Sequence, residues 1–452
     1  MDKNIILNQV DSLSAEQLHN FIFLGIVTLQ ELRETQNLDS TKRNAILALQ
    51  NAIDAKDDNA WESARYGNES VLSDYITKFP NGKHINEAKI KIDNLETQRR
   101  IIKEQRQSVL DNIKRNPNTY SPNEIKEFLN NGTFSQSDLV EYCDIPQSAI
   151  DNLDKIRTPQ LVIGDTPTSI PDGYTEVYFW GGTGSGKTCA LGAILQMAEQ
   201  KGYLNIATGP GYLYANQLKN IFSDDGHAND YLPAPSPVDT TQYLPFTLKN
   251  PKEKNSRSVS LIELSGEIFK CFFLKNANQP FPTQSHEITF DSLNTFIKSS
   301  NRKIHFFFID YDRENRPDNS GLKQSDYLAA ASTYFKNNAV FGRTTDAIYV
   351  VLTKSDLLLD NNGNHVPEEK RVEYAIKHLQ DNNYKAFIET LKDNCKKNSI
   401  NGGRLTVEPF TLGKVYFKQI CNFDGTSASN IVEILMDRIA GSRKSVLDIF
   451  NK

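Results

Sequence analysis

The spacing of apolar residues changes character near residue 160. Before it, long polar stretches carry apolar side chains at helical intervals with little β-branched clustering, which predicts helices. After it, short apolar runs alternate with helical segments. That is the pattern of an α/β domain with a mostly parallel sheet and helices on both faces. Glu176–Trp180, Tyr243–Leu248, Ser258–Leu264, Lys303–Asp310, Asp346–Leu352 and Arg404–Phe410 read as strands, and Thr188–Gln200 as a helix. Between the two regimes, residues 158–175 hold Pro159, Pro167, Pro171 and Gly173, a density of helix breakers that marks a linker.

The helical part contains an internal repeat. The stretch from Ser14 lies over the stretch from Ser121 without a gap: Leu18 meets Ile125, Phe21 meets Phe128, Gly25 meets Gly132, Thr28 meets Ser135, Leu32 meets Leu139, and Ile46 meets Leu153. Each copy reads as a capped helix, a glycine stop, a Ser/Thr-capped second helix and a short third one. We therefore read residues 1–48 and 109–157 as copies of one small module. Between them, residues 49–108 read as a helical hairpin built on Trp61, Ala64, Leu72, Tyr75, Phe79 and Ala88. Its aromatic and small residues resemble one tetratricopeptide-like repeat. His84 reads as a turn or capping residue, and the basic run Arg99–Arg106 as a solvated helix face.

Composition narrows the classes of function. A chain of 452 residues exceeds one compact domain, since roughly 150 residues per domain is usual. The net charge of −5 argues against general, sequence-independent nucleic-acid binding. Cys143, Cys189, Cys271, Cys395 and Cys421 are scattered without C-x-x-C spacing, which fits neither a disulfide framework nor a zinc ribbon. The N-terminus lacks a secretory pattern and no apolar run approaches a membrane span, so a cytoplasmic protein is expected.

Residues 176–452 carry the chemistry. After the strand Glu176–Trp180, the stretch Gly181-Gly182-Thr183-Gly184-Ser185-Gly186-Lys187-Thr188 satisfies G-x-x-x-x-G-K-[ST] and opens a helix, with Cys189 next along it. Glycines let a backbone wrap phosphates with its N–H groups, and the helix N-terminus adds its dipole. Lys187 is expected on the β- and γ-phosphates and the Thr188 hydroxyl on Mg²⁺. Later strands end in Glu263-Leu264-Ser265-Gly266-Glu267, in Asp310-Tyr311-Asp312, in Thr353-Lys354-Ser355-Asp356 and in Thr411-Leu412-Gly413.

In this order the elements resemble the P-loop GTPase family, of the TRAFAC/Ras-like class and large bacterial type: phosphate loop, D-x-x-G switch, plain strand, [NT]-K-x-D and a base-contacting loop. The resemblance implies GTP/GDP and Mg²⁺ as ligands. Asp356 would accept from the guanine N1–H and exocyclic amine, the Lys354 stem would pack on the base, and Thr353 stands where many members have Asn. The loop through Leu412 and Gly413 would donate a backbone N–H to the guanine oxygen. Two positions depart from the pattern. Glu263 replaces the switch aspartate, so its metal contact would be direct or through water. Glu267 replaces the Gln that orients attacking water, which argues for slow hydrolysis. The switch threonine is Thr240 or Thr241. Extra length at 204–239 and 269–303 would cover the nucleotide or bind partners.

The resemblance implies a GTPase switch whose helical half recruits unidentified protein partners, as in poorly characterised large bacterial GTPases of multi-protein assemblies such as conflict or defence systems. Two other readings stay open. One is a P-loop ATPase with Asp310 as the Mg²⁺-associated carboxylate; the other is a nucleotide-binding scaffold that does not hydrolyse.

Overall fold

The computed structural model describes residues 2–35, 37–155, 161, 169–209, 211–223, 232–233, 241–249, 257–381 and 383–439. The chain divides into two compact units, Met1–Asp111 and Asn112–Lys452. Most of the expected linker 158–175 lies outside the described residues.

In chain order the first helices are α1 (Lys3–Asn8), α2 (Ala15–Phe23), α3 (Leu29–Glu34), α4 (Ser40–Ala64), α5 (Glu69–Lys78) and α6 (Ile85–Arg115). Ile6, Val10, Leu18, Val27, Leu32 and Ile46 form one small core, and Trp61, Ala64, Leu72, Tyr75 and Ala88 a second. Tyr75 hydroxyl donates to Asp57, and the His84 ring stacks on Trp61 with centroids 5.2 Å apart. His84 Nε2 lies 3.0 Å from Asp58 Oδ1, so this histidine ties a turn to α4. Within the basic run, Arg99 pairs with Glu69.

The second unit opens with α7 (Pro122–Asn130), α8 (Gln136–Glu141) and α9 (Gln147–Asp151). The two stretches aligned by sequence share their local devices. Ser14 and Ser121 close capping boxes on Gln17 and Glu124, and Thr28 and Ser135 close them on Glu31 and Asp138. Gly25 and Gly132 end the first helix of each at φ +69° and +72°, a conformation that costs other residues. The two stretches fall in different compact units. In the second, Phe417 N–H bonds to Pro117 O at 2.9 Å and Lys418 N–H to Asn118 Oδ1 at 2.8 Å, which joins the segment before α7 to a hairpin far along the chain.

The α/β part runs β1 (Thr175–Trp180), α10 (Lys187–Gln200), β2 (Leu204–Ile206), α11 (Tyr212–Asn220), β3 (Thr241–Leu248), β4 (Arg257–Leu264), α12 (Gly266–Asn276), α13 (Gln284–Ile297), β5 (Arg302–Asp310), α14 (Gln324–Asn337), β6 (Thr345–Thr353), α15 (Arg371–Asp381), α16 (Lys385–Asn398), β7 (Thr406–Phe410), the hairpin β8 (Gly413–Tyr416) and β9 (Ile420–Phe423), and α17 (Thr426–Ile439). Seven strands form one sheet in the order β2-β3-β4-β1-β5-β6-β7. β4, β1, β5, β6 and β7 are mutually parallel, while β2 and β3 run antiparallel at one edge. Alternation along β1 sorts its side chains. Val177 and Phe179 pack with α10, α11 and α17 on one face, Tyr178 and Trp180 with α12, α13, α14 and α16 on the other. Both faces are covered, so the strand has no polar side.

Two charges break that rule. Glu176 and Lys303 are both fully buried at the amino ends of β1 and β5, with Nζ 3.7 Å from Oε2. Lys303 also donates to Ser299 O at 2.7 Å and Asn301 O at 2.9 Å, and Glu176 accepts from Ser299, Asn301 and Tyr178. Removing one partner strands the other. We expect Lys303→Met to lower the unfolding free energy by about 3 kcal/mol in urea denaturation. A loss below about 1 kcal/mol would show that the hydroxyl and amide donors suffice alone.

Candidate functional site

In a parallel sheet the loops beyond the carboxyl ends of the strands converge on one edge. Here those ends are Trp180, Leu264, Asp310, Thr353 and Phe410, and the loops that follow line one cleft of about 490 Å³ within the second unit. Gly184, Ser185, Lys187, Thr188 and Cys189 form one wall, and Lys354, Asp356, Leu412 and Gly413 form another.

The loop 181–186 turns sharply because Gly181, Gly184 and Gly186 take φ of +147°, +76° and +85°. Gly186 is the N-cap of α10 and no side chain caps the helix, so its first turn keeps backbone donors available to a ligand. Lys187 folds back over the loop, donating to Gly181 O at 2.6 Å and Gly182 O at 3.0 Å. Burial pushes its ammonium down to about 8; Arg313 adds to the fall and Glu263 opposes it. Cys189 is also held protonated, burial pushing its thiol up to about 12.

Glu263 does not face solvent. It is the last residue but one of β4, 2 % exposed, accepting from the Thr188 hydroxyl through one oxygen and from Tyr214 at 2.8 Å through the other. Burial raises its carboxyl above the ordinary range in spite of those bonds and of Lys187. Beyond it, Gly266 is packed on the phosphate-loop backbone so closely that an added Cβ would overlap Thr183 N and Cα. Thr183 hydroxyl donates to Glu267 Oε1 at 2.8 Å, and Glu267 pairs with Lys270 at 3.2 Å. Both contacts fall on Oε1.

The opposite end is cross-braced. Thr353 Oγ1 lies 3.0 Å from Ser185 O and 3.2 Å from Ile309 O, tying β6 to the phosphate loop. Lys354, in the left-handed region at φ +55°, reaches Asp310 Oδ2 at 2.7 Å. Asp310 Oδ1 accepts from Asp312 N–H at 3.0 Å. Asp356 Oδ1 accepts from Thr411 hydroxyl at 2.9 Å, and Thr411 Oγ1 in turn accepts from Gly413 N–H at 3.1 Å. The two sequence segments expected at the base are thus bonded to each other.

Thr241 opens β3, its backbone opposite Leu264 and so one residue from Glu263 in register. Thr240 lies outside the described residues. The insert 204–239 contributes β2, α11 and Tyr214; 269–303 contributes most of α12 and all of α13.

Several lining residues had no motif to announce them. Asn116 and Asn118 reach the cleft from the segment before α7, beside Lys418 and Gln419. Asn-Pro-Asn at 116–118 reads as a turn, yet nothing in it points to a hairpin near residue 418. Phe417 and Lys418 sit at φ +53° and +66° in a tight turn where Asn-Gly is usual, and the bonds from Pro117 and Asn118 hold that strain. Arg313 and Arg316 also line the cleft, from the loop after β5. Among the described residues no group of three or more His, Cys, Asp or Glu side chains could hold a metal by itself, and no helix is long and apolar enough to cross a membrane.

No protein-family model matches the chain and no curated protein matches it. Among solved structures it is similar to the GTPase-like domain of Ski7 from S. cerevisiae bound to GTP, at 13 % identity and a TM-score of 0.28, over 62 % of this chain and 55 % of that one. It is also similar to Methanosarcina barkeri Roco2 RocCORdC bound to GDP, at 13 % identity and a TM-score of 0.26, over 62 % of this chain and 51 % of that one. The chain spans about half the length of each. At these scores the likeness assigns neither family nor ligand, and the reading of the cleft rests on its own residues.

A buried ammonium without an anion costs stability. The Lys187 value in the folded chain, about 8, lies below its ordinary 10.5, so between these values the unfolded chain binds more protons and stability rises with pH. Lys187→Met should therefore stabilise the ligand-free protein at pH 7 by up to about 3 kcal/mol, with the gain shrinking toward pH 10. Unfolding curves at the two pH values check this; a variant less stable than wild type at both would contradict it.

Proposed function

We propose that the cleft binds GTP and GDP with Mg²⁺ and that the protein is a slow GTPase acting as a nucleotide-dependent switch. The observation that carries this reading is the convergence at one sheet edge of an uncapped glycine-loop helix N-terminus, a buried lysine and the braced pair Asp356–Thr411. The loop N–H groups and Lys187 suit a polyphosphate, whose negative charge would raise the Lys187 pKa back toward its ordinary range. Asp356 suits guanine, whose N1–H and exocyclic amine offer adjacent donors to a carboxylate; adenine lacks that pair. Among the described residues no group accepts from Leu412 N–H, which leaves a donor for the guanine oxygen.

The residues fit a hard divalent cation. Thr188 hydroxyl and the Glu263 carboxyl meet at the start of α10, and Glu263 is a buried acid; burial pushes its carboxyl up, a cost that a bound cation would offset. One carboxylate and one hydroxyl are the sparse protein set that Mg²⁺ uses when phosphates and water complete its shell. Bound there, Mg²⁺ would neutralise phosphate charge. The ATPase reading through Asp310 is disfavoured, because that carboxylate is occupied by Lys354 and the Thr188 hydroxyl is on Glu263. Glu267, bonded to Thr183 and Lys270, favours slow turnover. For the helical region we propose partner binding; Ile90, Ile101 and Ile102 are large apolar residues exposed on α6.

Titration of the full chain with GTP and ATP in Mg²⁺ should show GTP at least about tenfold tighter, roughly 1.4 kcal/mol. Asp356→Asn should remove most of that preference. Equal affinities, or an unchanged preference in the variant, would overturn the guanine assignment.

A further inference from the structure

Part of the cleft lining comes from outside the phosphate and base motifs. Asn116 and Asn118 reach it from the segment before α7, Lys418 and Gln419 from the tip of the β8–β9 hairpin, all within the second unit. Asn118 and Lys418 are 300 positions apart, yet Lys418 N–H donates to Asn118 Oδ1 at 2.8 Å and Phe417 N–H to Pro117 O at 2.9 Å. A further bond, Leu232 N–H to Gln419 O at 2.8 Å, ties the same tip to the 204–239 insert. Asn116 steadies Asn118 in turn, its Oδ1 accepting from Asn118 N–H at 2.9 Å. These bonds decide which end of each carboxamide is engaged. In both residues the oxygen faces a backbone donor, which fixes the orientation of the amide. The amide nitrogen of each, with two donor hydrogens, has no acceptor among the described residues. Both side chains are only partly exposed and both line the cleft, so two neutral donors stand there side by side.

We propose that the α/β domain does not hold the nucleotide alone: the segment before α7 completes the site, the side-chain amides of Asn116 and Asn118 donating to the ribose hydroxyl oxygens. This rests on the nucleotide reading above. In that reading the glycine loop and Lys187 take the phosphates, and Asp356 with Leu412 N–H takes the base edge. What remains of a nucleotide is a pair of neighbouring sugar hydroxyls, whose oxygens accept as well as donate. Neutral amide donors suit a neutral sugar, whereas phosphate oxygens call for charge-assisted bonds of the kind the other end of the cleft supplies. The hairpin bonds hold both amides in place before a ligand arrives, so little ordering is needed on binding. Recognition of the sugar then falls to residues encoded before the first strand, far from the phosphate loop in sequence.

The test is calorimetric titration of the full chain in Mg²⁺ with GDP and with 2′,3′-dideoxy-GDP, neither carrying a label on the sugar. Wild type should bind GDP about tenfold tighter than the dideoxy ligand, the loss expected for two hydrogen bonds. Asn116→Ala and Asn118→Ala should each cut that ratio to about threefold, and the double variant to about one. Affinity for the dideoxy ligand should stay within about threefold of wild type in all three. The proposal is overturned if wild type binds the two ligands equally or if the variants keep the wild-type ratio. It is also overturned if the variants weaken both ligands by the same factor, which would mark a role in holding the hairpin alone. Failure of wild type to bind GDP at all would instead sink the nucleotide reading, and this inference with it.

Discussion

Lys187 and Glu263 are ionisable groups buried at the carboxyl edge of a sheet whose two faces are otherwise closed by apolar side chains. Burial pulls each toward its neutral form, and each partly supports the charge of the other. Neither is satisfied by an apolar core, and both are fixed by backbone: Lys187 by the glycine loop after β1, Glu263 by the end of β4. The loop must therefore lie against the neighbouring strand ends, which is why Gly266 carries no side chain where it meets Thr183. The proposed polyphosphate and its cation would offset both desolvation costs at once.

The far end of the cleft is organised by a different logic. Its groups are satisfied before any ligand arrives: Thr353 on the phosphate loop, Lys354 on Asp310, and Asp356 on Thr411. Such bracing holds the Asp356 carboxylate in one orientation, which the proposed discrimination between bases would require. The strained turn at Phe417 and Lys418 belongs to the same end and is held by residues 117 and 118.

Much of this was readable in advance, for reasons that can be named. Strand ends came within one or two residues because a strand buried on both faces is a continuous apolar run. The phosphate loop was visible because glycine at fixed offsets has few other uses. The helix caps of the repeat followed from Ser, Thr and Gly at set positions, since capping is satisfied within four residues of chain. The mixed edge of the sheet was less visible: β2 is three residues long, too short for a period to show.

By itself, then, the sequence determined what depends on neighbours along the chain: the alternation of strands and helices, the glycine turn at 181–186, and the caps at Ser14, Thr28, Ser121 and Ser135. Tertiary structure alone decided which carboxylate meets Thr188, since Glu263 and Asp310 both end apolar strands and only sheet order separates them. It also decided that Arg316 pairs with Asp312 and that Asn118 meets a turn near residue 418. Those contacts join residues tens to hundreds of positions apart, and no local propensity encodes a partner at that distance.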